Sequence, residues 1–551
     1  MIRISQIKIP IELSRVRDEE TTLAVLRKKA AKTLRIDAGE IQVLEIVKHS
    51  IDARKKPELY DVYVVDVKMG GKEVQTVKKC RDRNVTLTEE KKYDFLEKVC
   101  EGKAFSKDIE SGKIVIIGAG PAGLFCGYEL AKNGFKPIIL ERGADVDKRL
   151  ETVEKFWETG ELDLKTNVQF GEGGAGTFSD GKLNTMVKDK EGRGLRTLDI
   201  FVENGAPKRI KYESKPHIGT DILRDVVRNI RNEIISCGGQ VLFETQVTEF
   251  ITDSAGKLKA VKTPDKTFEC DAAVLAIGHS ARDTFAMLKD IKVDMQPKPF
   301  AVGFRVEHPQ SLINRSQYGV DAPDVLPAAP YKLTTTTGSG RGVYSFCMCP
   351  GGYVVNASSE EGMLAVNGMS YSKRDGKNAN SAIIITVDPK DFGSEDVLSG
   401  VEFQRRLEKK AYELTKGKIP VEYYGDFKAA VSGANDGNVC IDAETFSPQM
   451  KGAYEFAPVH EILPPDLNEA FVEGMENFGR TIKGYNDDHA LVSGVESRTS
   501  SPVRINRGED GQSVNMKGLF PCGEGAGYAG GIMSAAMDGI RTAEMVAKMF
   551  V

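Results

Sequence analysis

Apolar and polar residues alternate along residues 2–11 (IRISQIKIPI), the period of a strand with one buried face, and a helical stripe follows at 21–34. Two more strand-like runs at 41–49 and 60–69 follow that helix, so residues 1–104 predict a small α+β unit of the split-βαβ, ferredoxin-like kind. The cluster Arg54-Lys55-Lys56 stands just before Pro57 and reads as a solvated turn in preference to a phosphate-contacting loop. At Lys113 the texture changes. Residues 114–117 (IVII) are apolar without alternation, as in a strand covered on both faces; a glycine-rich turn follows, then a helix to Asn133, a stop at Gly134 and a strand at 137–140. This is a βαβ unit. Between about 296 and 499, β-type runs at 343–349, 353–357, 363–369 and 381–387 precede a charged helix at 401–415, which predicts an antiparallel sheet inserted into the first fold.

Composition narrows the class. A chain of 551 residues exceeds what one hydrophobic core organises, which predicts two or three domains and room for a large cofactor. Glycine, at 55 of 551, is above the usual share of about 7 %, as expected where backbone approaches something closely. The nine cysteines are an odd number and the opening MIRISQIKIPIELSR carries no apolar leader pattern, so reduced thiols in the cytoplasm are expected. The longest apolar run, 114–131, is interrupted by Gly118, Gly120, Pro121 and Gly123, which suits a strand turning into a helix and not a membrane span. A net charge of −4 gives no global reason to bind nucleic acid or acidic membranes, and no four cysteines have zinc spacing, so no metal is expected.

Gly118-Ala119-Gly120-Pro121-Ala122-Gly123 lies between a strand and a helix, where the glycines serve a tight turn, close approach of a pyrophosphate and helix-to-strand contact. The helix N-terminus then offers unpaired N–H groups to the phosphates. Glu141 ends the next strand about twenty residues on, placed to accept from ribose hydroxyls. With these residues the sequence resembles the FAD-binding superfamily that includes glutathione reductase, and Glu141-Arg142-Gly143 looks like the subgroup in which such a triplet follows the second strand. The resemblance implies four further features. The loop 171–183 would lie against the cofactor through Gly173, Gly174 and Gly176, with Thr177, Ser179 and Lys182 as donors to phosphate or flavin and Leu183 closing it. The strand leading to Val247 would meet the adenine, and an apolar strand would end at Gly278. Near the C-terminus, Gly523-Glu524 would hold the ribityl chain, and Gly530-Gly531-Ile532 would open a helix aimed at the pyrimidine edge of the flavin, where negative charge collects on reduction.

The fold class implied is α/β: a discontinuous Rossmann-like FAD-binding domain (105–295 and 500–551), an inserted β-rich substrate or cap domain (296–499) and the small N-terminal domain (1–104). Residues 105–551 also resemble a bacterial family of uncharacterised FAD-dependent dehydrogenases, through GGAGTFSDGKL, AIGHSARDT, FCMCPGG and CGEGAGYAGG.

On the substrate side no second glycine motif has βαβ context, so NAD(P)H would dock only transiently. Cys347-Met348-Cys349 places two thiols on one face of a strand, a candidate redox pair weighed against buried small hydrophobes, with Cys349 the candidate catalytic thiol; Cys126, on the helix where reductases keep a dithiol, is alone. Arg498 and Arg504 could grip a substrate carboxylate or form interdomain ion pairs, His279 has no assigned role, and His460 reads as structural. The function expected is a flavin oxidoreductase transferring a hydride between FAD and a small organic substrate. The alternatives are an RNA-modifying or macromolecule-binding flavoprotein, which would need a basic stripe, and a monooxygenase, disfavoured by Ile277 where hydroxylases carry Asp. The oligomeric state is not legible.

Overall fold

A computed structural model describes residues 1–11, 18–90, 92–100, 113–321, 325–434 and 446–550. The N-terminal residues form an antiparallel sheet of four strands in the order Val43–Lys55, Glu58–Lys68, Ile2–Pro10, Val85–Leu87. The helix Glu19–Leu34, capped by the Asp18 side chain on Thr21 N, covers it with Leu26, Ala30 and Leu34. Two details differ from the sequence pattern. The first strand bulges between Ile4 and Ile7 with Gln6 at φ 61°, which keeps Ile2, Ile4, Ile7 and Ile9 all in the core, and the strand expected to end at His49 runs on to Lys55 as one arm of a hairpin. A second helix, Glu73–Cys80, lies between the third and fourth strands and has only a short apolar signature.

The central sheet has five parallel strands in the order Leu519–Pro521, Ala272–Leu275, Ile114–Ile117, Ile138–Leu140, Gln240–Leu242. In parallel register all five carboxyl ends open on one edge, the position where such sheets bind ligands. The late strand joins because its helix Ile532–Ala547 packs along Pro121–Lys132 with almost no side chain between them: a Cβ on Gly539 would lie 2.2 Å from Ala122 O. A three-stranded antiparallel meander, Glu249–Thr252, Leu258–Lys262 and Thr267–Glu269, precedes the second strand of the sheet order.

The chain leaves this sheet through Met295–Pro297 and returns through Val503–Ile505, and those two segments pair with each other. Between them stands a seven-stranded sheet in the order Thr334–Thr336, Gly342–Cys349, Asn378–Val387, Phe300–Pro309, Leu491–Glu496, Ile419–Tyr423, Tyr454–Phe456, antiparallel except at its last pair. The run expected at 363–369 shortens to Val366–Met369 and belongs to a separate small sheet with Tyr353–Asn356 and Met450–Lys451. Among the described residues no helix is long and apolar enough to cross a membrane.

Candidate functional site

Residues beyond the ends of all five parallel strands line one cleft: Gly118, Glu141, Val247, Gly278 and Glu524 each represent one strand. The geometry of the first turn leaves little choice of residue. Gly118 sits at φ 103° with its would-be Cβ 2.4 Å from Ala276 O, and a Cβ on Gly123 would fall 1.9 Å from Gly118 O. Gly120 is different: the nearest atom to a Cβ there is Gly174 Cα at 3.8 Å, so its bareness serves the cleft and not the packing. Gly120 is also the N-cap of Pro121–Lys132 with no side chain capping it, and Gly531 caps Ile532–Ala547 in the same way. Two uncapped helix N-termini thus open on the same space, lined by Gly120, Pro121 and Ala122 on one side and Gly531 and Ile532 on the other.

Glu141 lies at the cleft wall and also ties the wall together. Its Oε2 accepts from Ala119 N at 2.8 Å, and its Oε1 from Gly143 N at 3.0 Å and Gly171 N at 3.1 Å. Arg142 lines the cleft, yet its guanidinium is engaged outside it by both oxygens of Asp283 (3.0 and 3.1 Å) and stacks over Phe170. The loop 171–183 crosses between the two helix N-termini: Gly173 N donates to Ala119 O, and Gly174 and Gly176 press so closely on Gly120 and Ile532 that Cβ atoms there would come within 3.1 and 2.7 Å.

That loop is held from behind by a residue the sequence pattern did not single out. Arg149, fully buried, donates to the carbonyls of Asn167, Val168, Gly171, Glu172 and Gly174. Burial pulls its guanidinium down to about 10, and the five carbonyls satisfy its donors. Glu172 beside it accepts from Val146 N and Arg231 Nη1 and is pushed up to about 7 by burial. A single charged residue in a helix gives no sequence signal for such a clamp.

Several residues expected to touch the cofactor lie off the cleft surface. Thr177 is buried with its Oγ1 on Glu172 O, and Leu183 is a core residue; the backbone reverses at Ala175–Phe178 and turns both inward. Ala119, Gly123, Gly173 and Gly523 shape the turns behind the cleft surface, and Gly530 is exposed outside it. Ser179 and Lys182 do line the cleft, the hydroxyl of Ser179 donating back to Gly176 O at 2.7 Å. Glu524 is pushed up to about 7 by burial, which the Gly531 N–H and Lys298 partly offset. His279 also lines the cleft. Ser280 donates to Gln169 Oε1 and so accepts from His279 Nδ1–H; burial together with Arg498 and Arg282 lowers the imidazole to about 3, which keeps it neutral.

At the other end the cleft meets the seven-stranded sheet through Phe346, Cys347, Cys349 and Glu496, the small sheet through Asn367, and the segment after Glu496 through Arg498. The expected same-face thiol pair is corrected: Gly342–Cys349 breaks register with Asn378–Val387 between Phe346 and Cys349, and Cys347 takes φ 42°, so strand alternation does not apply across the pair. Desolvation inside the cleft, to which Cys347 is exposed, pushes that thiol up to about 12, and burial raises Cys349, whose Sγ–H donates to Cys347 O; both are neutral thiols. Arg498, left open between a substrate carboxylate and an ion pair, holds both oxygens of buried Glu408 through Nε (3.0 Å) and Nη2 (2.8 Å) and gives its Nη1 to Ser359. Arg282 grips the same Glu408 from the other side. Arg504 stacks over Tyr528, and His460 pairs with Glu422 at 2.7 Å. A second arginine missed in the sequence, Arg305, is fully buried and binds Glu496, Cys347 O, Asn380 and Asn367.

Residues 299–499 match the family described as FAD-dependent protein, C-terminal domain-like; residues 116–164 match an NAD(P)-binding Rossmann-like domain, and residues 1–68 match a domain of unknown function. A Clostridium beijerinckii protein named "Uncharacterized protein" is 47 % identical over 553 residues, covering 100 % of this chain and 99 % of its own. Digeranylgeranylglycerophospholipid reductase of Methanocaldococcus jannaschii is 27 % identical over 170 residues, covering 28 % of this chain and 43 % of its own. Among solved structures, glycine oxidase from Bacillus cereus aligns with a TM-score of 0.31 at 12 % identity, over 79 % of this chain and 95 % of its own. From its match along the whole Clostridium beijerinckii protein and its FAD-dependent C-terminal region, the chain belongs with that relative to one family of FAD-dependent proteins.

Proposed function

We propose that the protein is an FAD-dependent oxidoreductase of the glutathione-reductase-like superfamily that transfers a hydride between flavin and a small organic substrate. One observation carries the reading: five strand ends and two uncapped helix N-termini converge on a single cleft, with bare backbone at Gly120 where a side chain would intrude. The residues fit the cofactor. Gly118, Gly120 and Pro121 with the first helix N-terminus would hold the pyrophosphate, Glu141 the adenosine ribose, and Glu524 the ribityl chain, with Gly531 and Ile532 at the pyrimidine edge. Bound there, FAD supplies the two-electron chemistry. The chain's own part is positional and electrostatic: Arg149 fixes the 171–183 loop, Glu141 fixes the turn, and the Ile532–Ala547 N-terminus presents a positive dipole end.

In this reading residues 105–295 and 500–551 form the cofactor domain, 296–499 an inserted cap that encloses the substrate, and 1–104 a ferredoxin-like appendage; the sheet order of the first unit supports the last assignment. NAD(P)H would be a transient visitor. The purified protein should be yellow with about one FAD per chain, and Glu141→Ala and Glu524→Ala should each weaken retention; unchanged FAD content in both variants refutes the assignment. Stopped-flow bleaching by NADH and NADPH then tests the donor: no bleaching with either rules out nicotinamide as reductant.

A further inference from the structure

The charged groups along the cleft are almost all answered within the protein. Glu141 is answered by three backbone N–H groups, Arg142 by Asp283, Glu496 by Arg305 and Arg498 by Glu408. Two of the described lining residues are not: Glu524, which has only Lys298 and the Gly531 N–H near it, and Lys182. Its Nζ lies 4.0 Å from Asp180, whose two oxygens are already gripped by Arg374 through Nε at 2.9 Å and through Nη2. The surroundings add positive charge. Lys215 lies within electrostatic reach of both Lys182 and Arg374, while the neighbouring Arg209 and Glu213 answer each other at 3.4 Å. His217, on Ser372 O, contributes no charge, because burial and Arg374 hold it at about 4. Cations therefore outnumber carboxylates around this ammonium.

Lys182 also sits on the substrate side of the cleft. Cys347 and Cys349 both feel its charge, which places it near the Gly342–Cys349 strand of the seven-stranded sheet. Asn367 completes the picture. Its Oδ1 accepts from Arg305 Nη2 at 2.9 Å and from Gly368 N at 2.8 Å, so the amide is oriented with its N–H₂ group as the donor left for the cleft it lines. Phe346 gives the same end an apolar wall.

From the uncompensated ammonium and the oriented amide we infer that Lys182 and Asn367 form an oxyanion subsite, and that the substrate is a small organic acid whose carboxylate binds there. The inference rests on the flavoenzyme reading and moves Lys182 from the cofactor to the substrate. A carboxylate supplies the negative charge the cluster lacks and accepts from both donors, and the apolar part of the acid rests toward Phe346.

The test uses the FAD-loaded protein, titrated at constant ionic strength with benzoate, with benzamide as its neutral shape match, and with inorganic phosphate, while the flavin difference spectrum is followed. Benzoate should give a saturable change, and benzamide should bind at least about tenfold more weakly. Lys182→Met should weaken benzoate by about tenfold or more at unchanged FAD content, and Lys182→Arg should stay within about threefold of the native affinity. Equal binding of benzoate and benzamide, or full benzoate affinity in Lys182→Met, overturns the subsite. Loss of FAD in Lys182→Met also overturns it by returning the residue to the cofactor. Saturation by phosphate with no response to benzoate overturns the organic acid as occupant. A native protein that holds no FAD refutes the flavoenzyme reading itself, a result distinct from all of these.

Discussion

Two glycines three residues apart should respond to the same substitution in opposite ways. In Gly123→Ala the new methyl carbon falls 1.9 Å from Gly118 O and 3.3 Å from Ile116 Cγ2, on backbone at a strand end that cannot swing aside. Overpacking of this kind costs about 3 kcal/mol. At about 2 °C per kcal/mol, the figure for large domains, the apoprotein Tm should fall by roughly 6 °C. In Gly120→Ala the methyl meets nothing nearer than 3.8 Å, and φ −76°, ψ −177° is open to alanine. Reduced freedom of the unfolded chain contributes about 0.4–1 kcal/mol of stability, and the weaker N-cap removes about 1 kcal/mol, so apoprotein stability should change by less than about 1 kcal/mol. The methyl nevertheless stands in the cleft beside Gly174, and FAD affinity should fall by at least about tenfold, or about 1.4 kcal/mol. Calorimetry of the apoproteins and fluorescence titration with FAD separate the two effects. If Gly120→Ala unfolds as readily as Gly123→Ala, or binds FAD as the native chain does, close backbone approach is not the reason for glycine at 120.

The buried Glu408 is shared by Arg282 and Arg498, so Glu408→Ala should cost about 3–5 kcal/mol by leaving two buried guanidinium groups with Glu360 as their one remaining carboxylate, 2.6 Å from Arg282 and 3.8 Å from Arg498. Urea unfolding reads this directly, and a loss under 1 kcal/mol would show that the arginines find other partners. The two arginines hold Glu408 well below the usual carboxylate range, so its contribution is complete at neutral pH and is lost as pH falls below the unfolded value; Glu408→Gln should flatten the acid limb of the stability curve. Glu307 has the opposite sign. Burial pushes it up to about 7, with Oε1 unpartnered, so the native state holds the proton more tightly and stability falls as pH rises from about 4.5 to 7. The penalty above pH 7 is at most about 3 kcal/mol, and Glu307→Gln should shrink the stability difference between pH 5.5 and pH 8; an unchanged difference refutes the titration of this residue.

Much of the cofactor half was legible because its signals are local. The IVII run, the glycine turn and Glu141 lie within about thirty residues and each obeys a rule of backbone space or strand burial. The tail piece was legible through resemblance, and its strand and helix lie where that resemblance implied. What failed depends on where side chains turn after an irregularity. Thr177 lies within a one-turn helical reversal that Leu183 follows, and Cys347 lies within a bulge; neither kink has a sequence signature strong enough to track orientation through it. Arg149 and Arg305 were unread, and Arg498 was left between two readings, for another reason. Each is defined by partners brought close by tertiary pairing, Arg498 by Glu408, 90 positions away.

The strand Leu519–Pro521 and the helix that packs its Gly539 on Ala122 are made about 400 residues after Ile114–Ile117. At about 5–20 residues per second, a ribosome needs roughly 20 to 80 seconds to cover that distance. Through that interval the nascent cofactor sheet has an open edge where its neighbour is still unmade, and the first glycine turn has only half its wall. Flavin loading therefore belongs after synthesis of the tail, and a chain interrupted near residue 515 would retain the first dinucleotide motif while lacking the partner that closes it.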